Sequence, residues 1–427
     1  MSSTGQAYQV RNDDLYKAIY EILQEFCILY VRTDSLMEHF QNQHPNPPPS
    51  LFHLFTSFLR LGATAFGGPA MVAYIRKMAV EKNRWLDESS ARDGVALCQT
   101  IPGATAMQMS AYVGLRTRGV GGAGASFIGF GLPAFLFMMV LSALYAQAHS
   151  LPAVVSLFNG LQAIIVAVVA NATVSFGRAF IKNWKNVINA LIAAGLFGFK
   201  VSPILVIIVA AFLGAVLYSE QPHPAALNPV HNAHAPRSLF LILSATVIGF
   251  GALYFLDRKL FDLATLMFRI DLFAFGGGFA SVPLMYHEVV EVRSWLDGKT
   301  LLDGIALGQV TPGPIVMTAT FIGYLLKGPL GALLSTLSVF LPSFMIIVGT
   351  APYFDGLRTS PYFKRVITGI LCSFVGLLLT VTVRFALNIP WDIIRTLLSG
   401  AAFIALFLKV DILWVVLAGT VISLIVL

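Results

Sequence analysis

The sequence predicts an all-α, polytopic integral membrane protein built from two homologous halves, and three observations carry that prediction. Only 11% of the 427 residues are charged and 57% are hydrophobic, with a mean hydropathy of +0.77, whereas soluble domains carry roughly 25% charged residues. Apolar stretches close to the ~20 residues that span a bilayer recur along most of the chain. The third observation is a repeat. "RLGATAFGGP" at 60–69 returns as "RIDLFAFGGG" at 269–278, an arginine standing six residues before Phe-Gly-Gly each time.

The elements follow in order. Residues 1–50 form an extension in which "DLYKAIYEILQEFCILYVR" (14–32) has the apolar spacing of an amphipathic helix at the membrane interface. It lacks the short apolar core and small-residue cleavage site of a signal peptide. The first half, 51–218, holds six apolar segments, near 51–75, 93–116, 119–146, 153–177, 187–199 and 201–218. Runs such as "PILVIIVAAFLGAVL" (203–217) are apolar all round, as lipid-embedded helices are, and do not alternate like barrel strands. A polar linker (219–237) and one connecting span (238–256) precede the second half, 257–427. That half repeats the six segments near 260–285, 302–326, 328–352, 365–387, 391–408 and 411–427, for about 13 in all.

The repeat holds well beyond its first motif. Trp85-Leu86-Asp87 matches Trp295-Leu296-Asp297 once one extra residue is allowed in the loop, and Gln99 and Pro102-Gly103 match Gln309 and Pro312-Gly313. With that residue removed again, Gly114, Gly122-Ala123 and Leu132-Pro133 match Gly323, Gly331-Ala332 and Leu341-Pro342. If each segment crosses once, seven crossings separate equivalent points, and an odd number inverts the second half. The first loop carries Arg76, Lys77, Lys82, Arg84 and Arg92, its counterpart only Arg293 and Lys299, which agrees with opposite orientations. Inverted repeats with a site at their interface recur among transporters. The segments around Pro102 and Pro312 either span or re-enter.

"QTIPGATAMQMSAYVG" (99–114) and "QVTPGPIVMTATFIG" (309–323) occupy the same place in each half. Proline removes a backbone donor and glycine admits unusual dihedrals, so the helices should break here. Within a membrane a break is tolerated where it is packed in protein or lines a wet cavity. The half-helix beyond it aims free N–H groups and a positive dipole end at that cavity, a site for an anion. Thr105 and Thr311 would add hydroxyl donors. A Pro-Gly pair can instead serve packing alone, but its repetition with Gln99 and Gln309 three residues upstream favours the cavity.

Arg60 and Arg269 stand seven residues before Gly67 and Gly276, about two helical turns and therefore one face. With Phe66, Gly67 and Gly68, and with Phe275, Gly276 and Gly277, they read as a cation beside exposed backbone donors. The competing reading is an arginine that snorkels to the headgroups. Asp271 has no counterpart in the first half and is a candidate for pairing with a distant cation or handling a coupling proton. His287, Glu288 and Glu291 read as a solvated loop face. No metal site is expected: His223, His231 and His234 of the linker match no ligand spacing, and Cys27, Cys98 and Cys372 read as isolated small hydrophobes.

At these residues the chain resembles the chromate ion transporter family. The resemblance rests on Phe66-Gly67-Gly68-Pro69, Phe275-Gly276-Gly277-Gly278, the two Trp-Leu-Asp triplets, Pro102-Gly103 and "TPGP" at 311–314, and covers residues 51–427. It implies the duplicated, long-chain form, an integral membrane protein that moves chromate and often confers resistance by efflux. The chain departs at Gly278 against Pro69 and at Ala104 against Pro314. The expected partners are thus chromate, with sulfate as a competitor of like shape and charge, the lipid bilayer and a second copy of the chain, not nucleic acid. The expected location is the plasma membrane, crossed many times. A chromate-reducing membrane enzyme is the alternative from another class, but no dinucleotide fingerprint, haem-attachment motif or cysteine cluster supports a cofactor. The absence of a phosphate loop argues against an ATP-driven pump. A membrane scaffold would leave the duplicated breaks and arginines unexplained.

Overall fold

Proline and glycine placement divides the apolar chain more finely than hydropathy alone suggests. The computed structural model describes residues 48–66, 69–148, 151–218, 235–354 and 360–426, with fifteen α-helices and no strand among them. The 14–32 segment, Gly67, Gly68, Cys27 and the linker histidines lie outside the described residues. The first half runs α1 Leu51–Thr64, α2 Pro69–Arg76, α3 Glu88–Thr100, α4 Thr105–Ala148, α5 Pro152–Phe180, α6 Trp184–Gly198 and α7 Pro203–Leu217. Helix α8, Ala235–Leu256, connects the halves. The second runs α9 Arg258–Leu272, α10 Ser281–Met285, α11 Gly298–Val310, α12 Thr318–Thr350, α13 Pro361–Leu387, α14 Ile393–Phe407 and α15 Ile412–Val426.

Local chemistry repeats with the sequence. Asp87 caps α3 by accepting from the Ser90 N–H, and Asp297 caps α11 by accepting from Thr300. The acidic residue of each Trp-Leu-Asp triplet is therefore a helix N-cap. A π-helical turn follows α2 at Lys77–Lys82 and follows α10 at Tyr286–Val292. The second π turn is one residue longer, so the extra residue expected in the loop sits inside the turn. It closes with equivalent bonds, Trp85 N–H to Ala79 O and Trp295 N–H to Val289 O, both 2.8 Å.

Helices α4 and α12 are hairpins. Non-helical Arg118 and Gly119 (φ +64°) interrupt α4, and Lys327 and Gly328 (φ +63°) interrupt α12. In a straight helix Ser110 and Ser126 would stand about 24 Å apart. Instead the Ser126 hydroxyl donates to Ser110 O at 2.7 Å, and Thr320 and Thr336 pair at 2.7 Å in the second hairpin. The arms approach closely because Gly114 faces Gly122, and Gly323 faces Gly331.

The halves interlock. Helix α5 packs on α14 and α15 of the second half, and α13 packs on α6 and α7 of the first. The Ser423 hydroxyl bonds Ser156 O at 2.6 Å beside Gly160, and Gly214 faces Gly369 at the equivalent crossing. Small residues at such crossings let membrane helices approach, because burial from lipid supplies no hydrophobic drive.

Among the described residues, five helical stretches are long and apolar enough to cross a membrane: Thr105–Ala148, Val154–Phe180, Ser238–Leu256, Ile315–Tyr353 and Pro361–Leu387. At 15 residues each, α6 and α7 reach only about 22 Å, short of the ~30 Å hydrocarbon core. They are joined by the short turn Phe199–Ser202, so the pair changes the parity of crossings by an even number whether it spans or turns back. Single cysteines beside Trp85 and Trp295, in a cysteine-free background, are therefore expected to react with an impermeant reagent from opposite sides of the membrane. Labelling of both from one side would end the inverted arrangement.

One sequence expectation is corrected here. His287 and Glu288 are 6% and 7% exposed and do not form a solvated face. The π turn points them inward, where Glu288 pairs with Arg269 at 3.3 Å and with Arg293, and Glu291 pairs with His287 at 3.0 Å and Arg384 at 2.7 Å.

Candidate functional site

Four chain breaks meet where the halves touch. Each Pro-Gly break bonds the end of the other half's first helix: the Gly103 N–H donates to Ala274 O at 2.9 Å, and the Gly313 N–H donates to Ala65 O at 3.1 Å. Both glycines hold nearly the same left-handed backbone, φ +120° and +121°, which an L side chain rarely adopts. Gly276 and Gly277, at φ +95° and +96°, turn the chain between α9 and α10. A side-chain carbon on Gly277 would lie 2.9 Å from the Thr105 hydroxyl, and one on Gly278 would lie 2.8 Å from Ile315. The glycines thus let one half's backbone reach the start of helix α4 and the turn leading into α12.

A cavity of about 650 Å³ opens beside this meeting point. Of the sequence-predicted residues it gathers Gln99, Thr105, Gly276, Gly277, Gln309, Thr311 and Gly313. The Gln309 amide nitrogen is buried and has no hydrogen-bond partner. Arg76 supplies the one formal charge among the described lining residues, and none of those residues is a carboxylate. Its guanidinium is held by Glu88 through Nε at 3.0 Å and Nη2 at 2.5 Å. A second cavity of about 510 Å³ shares Ala179 and Phe180 with the first. It carries Lys182 and Lys185, with no carboxylate among its described lining residues.

The remaining predicted residues stand elsewhere. Phe66, Phe275, Pro102 and Pro312 shape the breaks without being among the lining residues. Gly103 packs against Ser343, Gln108 and Asp271. Arg60 is exposed on α1, and Arg269 is half-exposed and bound to Glu288; neither lines the cavity. The expected shared face of Arg269 and Gly276 is not present, because α9 ends at Leu272 and the positive φ of Gly276 is incompatible with continuing it. Arg76, Ser175 and Phe176 were not singled out in the sequence. Arg76 read as a loop cation, although its distance from the Phe-Gly-Gly-Pro break, in the last turn of the helix that Pro69 opens, was a usable signal.

Fold and site define a membrane transporter: two interlocked helical halves with a cavity, mostly apolar with a few polar groups, at paired helix breaks. The chain belongs to the chromate transporter family, whose model matches it twice, at residues 52–215 and 261–424. It is 45% identical to an uncharacterized transporter of Methanocaldococcus jannaschii, over 88% of this chain and 94% of that one. It is 30% identical to a chromate transport protein of Cupriavidus metallidurans, over 86% and 90% of the two chains. A chromate transport protein of Pseudomonas aeruginosa is 29% identical over 80% and 82%. No solved structure matches the chain.

Proposed function

We propose that this protein carries chromate out across the plasma membrane, through the cavity at the four breaks. The observation that supports this reading best is the lining: amide, hydroxyl and guanidinium donors with no carboxylate, including a buried Gln309 amide that lacks an acceptor. An unpaired buried donor costs about 1–3 kcal/mol, and an oxyanion oxygen would relieve it. Gln99, Gln309, Thr105 and the backbone at Gly276 and Gly277 are assigned to the anion; the Gly313 N–H and the Thr311 hydroxyl are bonded to Ala65 O and Gly308 O and hold the break. Arg76, paired with Glu88, offers guanidinium N–H groups at the cavity wall. Lys182 and Lys185 draw anions into the adjoining vestibule.

Direction follows from charge. A dianion leaving a negative interior gains roughly 4.6 kcal/mol at 100 mV, from ~2.3 per charge. Export would then confer resistance without an ATP-driven motor. Sulfate has the same shape and charge and competes at the same donors.

The test is flux in proteoliposomes at a clamped potential, with chromate, sulfate and molybdate offered separately. Chromate flux should rise as the chromate-containing side is made negative, and sulfate should compete. Absence of chromate flux at any potential would refute the reading. The arginines give a second check. Arg76→Gln should lower flux per inserted molecule about tenfold, while Arg60→Gln and Arg269→Gln should retain most of it. The reverse ranking would move the anion path to the α1 and α9 faces.

A further inference from the structure

The two Pro-Gly breaks share one backbone geometry but sit on opposite chemistry. At Gly313, the space a side chain would occupy is closed by Ala134 and Met317. At Gly103 the same space is bounded by Ser343, Gln108 and Asp271. These groups correspond through the duplication: Ser343 takes the place of Ala134, Gln108 that of Met317, and Asp271 that of Gly62. One pole is apolar and the other holds a carboxyl, an amide and a hydroxyl. Since Gly313 keeps φ +121° without any of them, the polar set is not needed to hold a break of this shape.

Nor is the polar set satisfied. Asp271 and Gln108 are both 0% exposed. Asp271 Oδ2 accepts from the Ser343 N–H at 2.9 Å and from its hydroxyl at 2.6 Å, while Oδ1 has no partner. The Gln108 amide nitrogen donates to Pro102 O at 2.5 Å, and its Oε1 also has no partner. Two buried acceptors beside one glycine are therefore left without a donor. Leaving buried polar atoms so costs free energy that an apolar pole would avoid.

No cation among the described residues fills the gap. Among the described residues Asp271 has no ion pair. On its own helix Arg269 pairs with Glu288; across on α12 Lys327 pairs with Asp257 at 2.9 Å; in the π turn His287 pairs with Glu291. On α4, Arg118 bonds Pro48 and Pro49, and Arg116 reaches Ser90. From Ser238 to Leu256, α8 carries no charged side chain.

We propose that Asp271, Gln108 and Ser343 bind a monovalent cation, a sodium ion or a proton, at the Gly103 break; the role in transport rests on the function proposed above. An all-oxygen set with one carboxylate suits a hard monovalent cation, and no cluster of three or more His, Cys, Asp or Glu occurs among the described residues to hold a transition metal. The site is wired to the transport break. The Ala104 N–H donates to Ser343 Oγ at 2.9 Å, and the Gly103 N–H to Ala274 O, three residues from Asp271. Cation occupancy thus sets how tightly the first half's break is tied to α9 and α12 of the second.

The experiment is thermal unfolding of the purified full-length chain with no oxyanion present. Sodium is titrated against choline at fixed pH and ionic strength, and separately the pH is lowered without sodium. A cation that binds the folded state raises the melting temperature by mass action. The expected shift is about 5 °C for wild type with one of the two cations, and which one responds identifies the ion. Asp271→Asn should be flat to that cation. Gln108→Met and Ser343→Ala, which install the residues of the apolar pole, should each raise the half-saturating cation concentration at least tenfold, so the test does not hang on one variant. Indifference of wild type to both cations, or equal responses in wild type and all three variants, would overturn the site. A protein that responds to the cation but moves no chromate would keep this site and refute the proposed substrate.

Discussion

Gly103→Leu and Gly313→Leu should each abolish oxyanion flux, and should also reduce the amount of folded protein in the membrane. Both positions hold φ near +120°, a strain of about 1–3 kcal/mol for a residue with a side chain. A first side-chain carbon would meet Ala134 Cβ at 2.6 Å from Gly313, and the Gln108 amide nitrogen at 2.6 Å from Gly103. Overpacking of this kind adds about 1–3 kcal/mol more. The milder Gly→Ala changes separate the two losses, because enough protein should insert for flux per folded molecule to be measured. Gly119→Ala and Gly328→Ala are the matched controls. They share a positive φ, but nothing lies within 4 Å of the added carbon, so they carry the dihedral cost alone and should keep normal flux. Wild-type flux in both leucine variants would mean that the breaks are packing devices and the anion passes elsewhere.

Gln309 should show the sharpest chemical discrimination. Gln309→Leu removes the unpartnered donor while filling the same volume. Chromate flux per inserted molecule is expected to fall about 10- to 100-fold, from ~1.5–3 kcal/mol for a hydrogen bond to a charged group. Gln309→Glu keeps the shape and places a negative charge in a cavity that has no other carboxylate in its described lining, so flux should be lost completely. Because the glutamine sits in the last turn of α11 before the break, neither change touches a helix crossing, and both proteins should insert at wild-type levels. Equal flux in the leucine and glutamate variants would show that Gln309 does not face the anion.

Much of the architecture was readable without coordinates, because its causes are local. Low charge and long apolar runs require helices in lipid. The duplicated Phe-Gly-Gly, Trp-Leu-Asp and Pro-Gly motifs mark a turn, an N-cap and a break by the chemistry of the residues themselves. The structure repeats the N-caps and the Pro-Gly breaks almost angle for angle, as at Gly103 and Gly313. Of the site, the glutamines, threonines and glycines next to the breaks were legible for the same reason: they are adjacent in sequence to residues that must interrupt a helix.

What the sequence could not determine depends on which distant segments meet. Arg269 stands six residues before its Phe-Gly-Gly, yet it pairs with Glu288 away from the cavity, while Arg76, itself paired with Glu88, lines the cavity wall; both outcomes are set by how helices rotate in packing. The burial of His287 and Glu288 follows from a π turn that no propensity pattern announces. Only the interlocking of the halves brings Asp271 and Ser343 of one to Gly103 and Gln108 of the other. Residues separated by more than 160 positions in the chain become neighbours there, and the free energy of an unpaired buried oxygen arises only once they do. Sequence by itself determined the helices, their breaks and the duplication; tertiary structure decided which of two equivalent poles carries charge, because burial and partnership are properties of the packed chain.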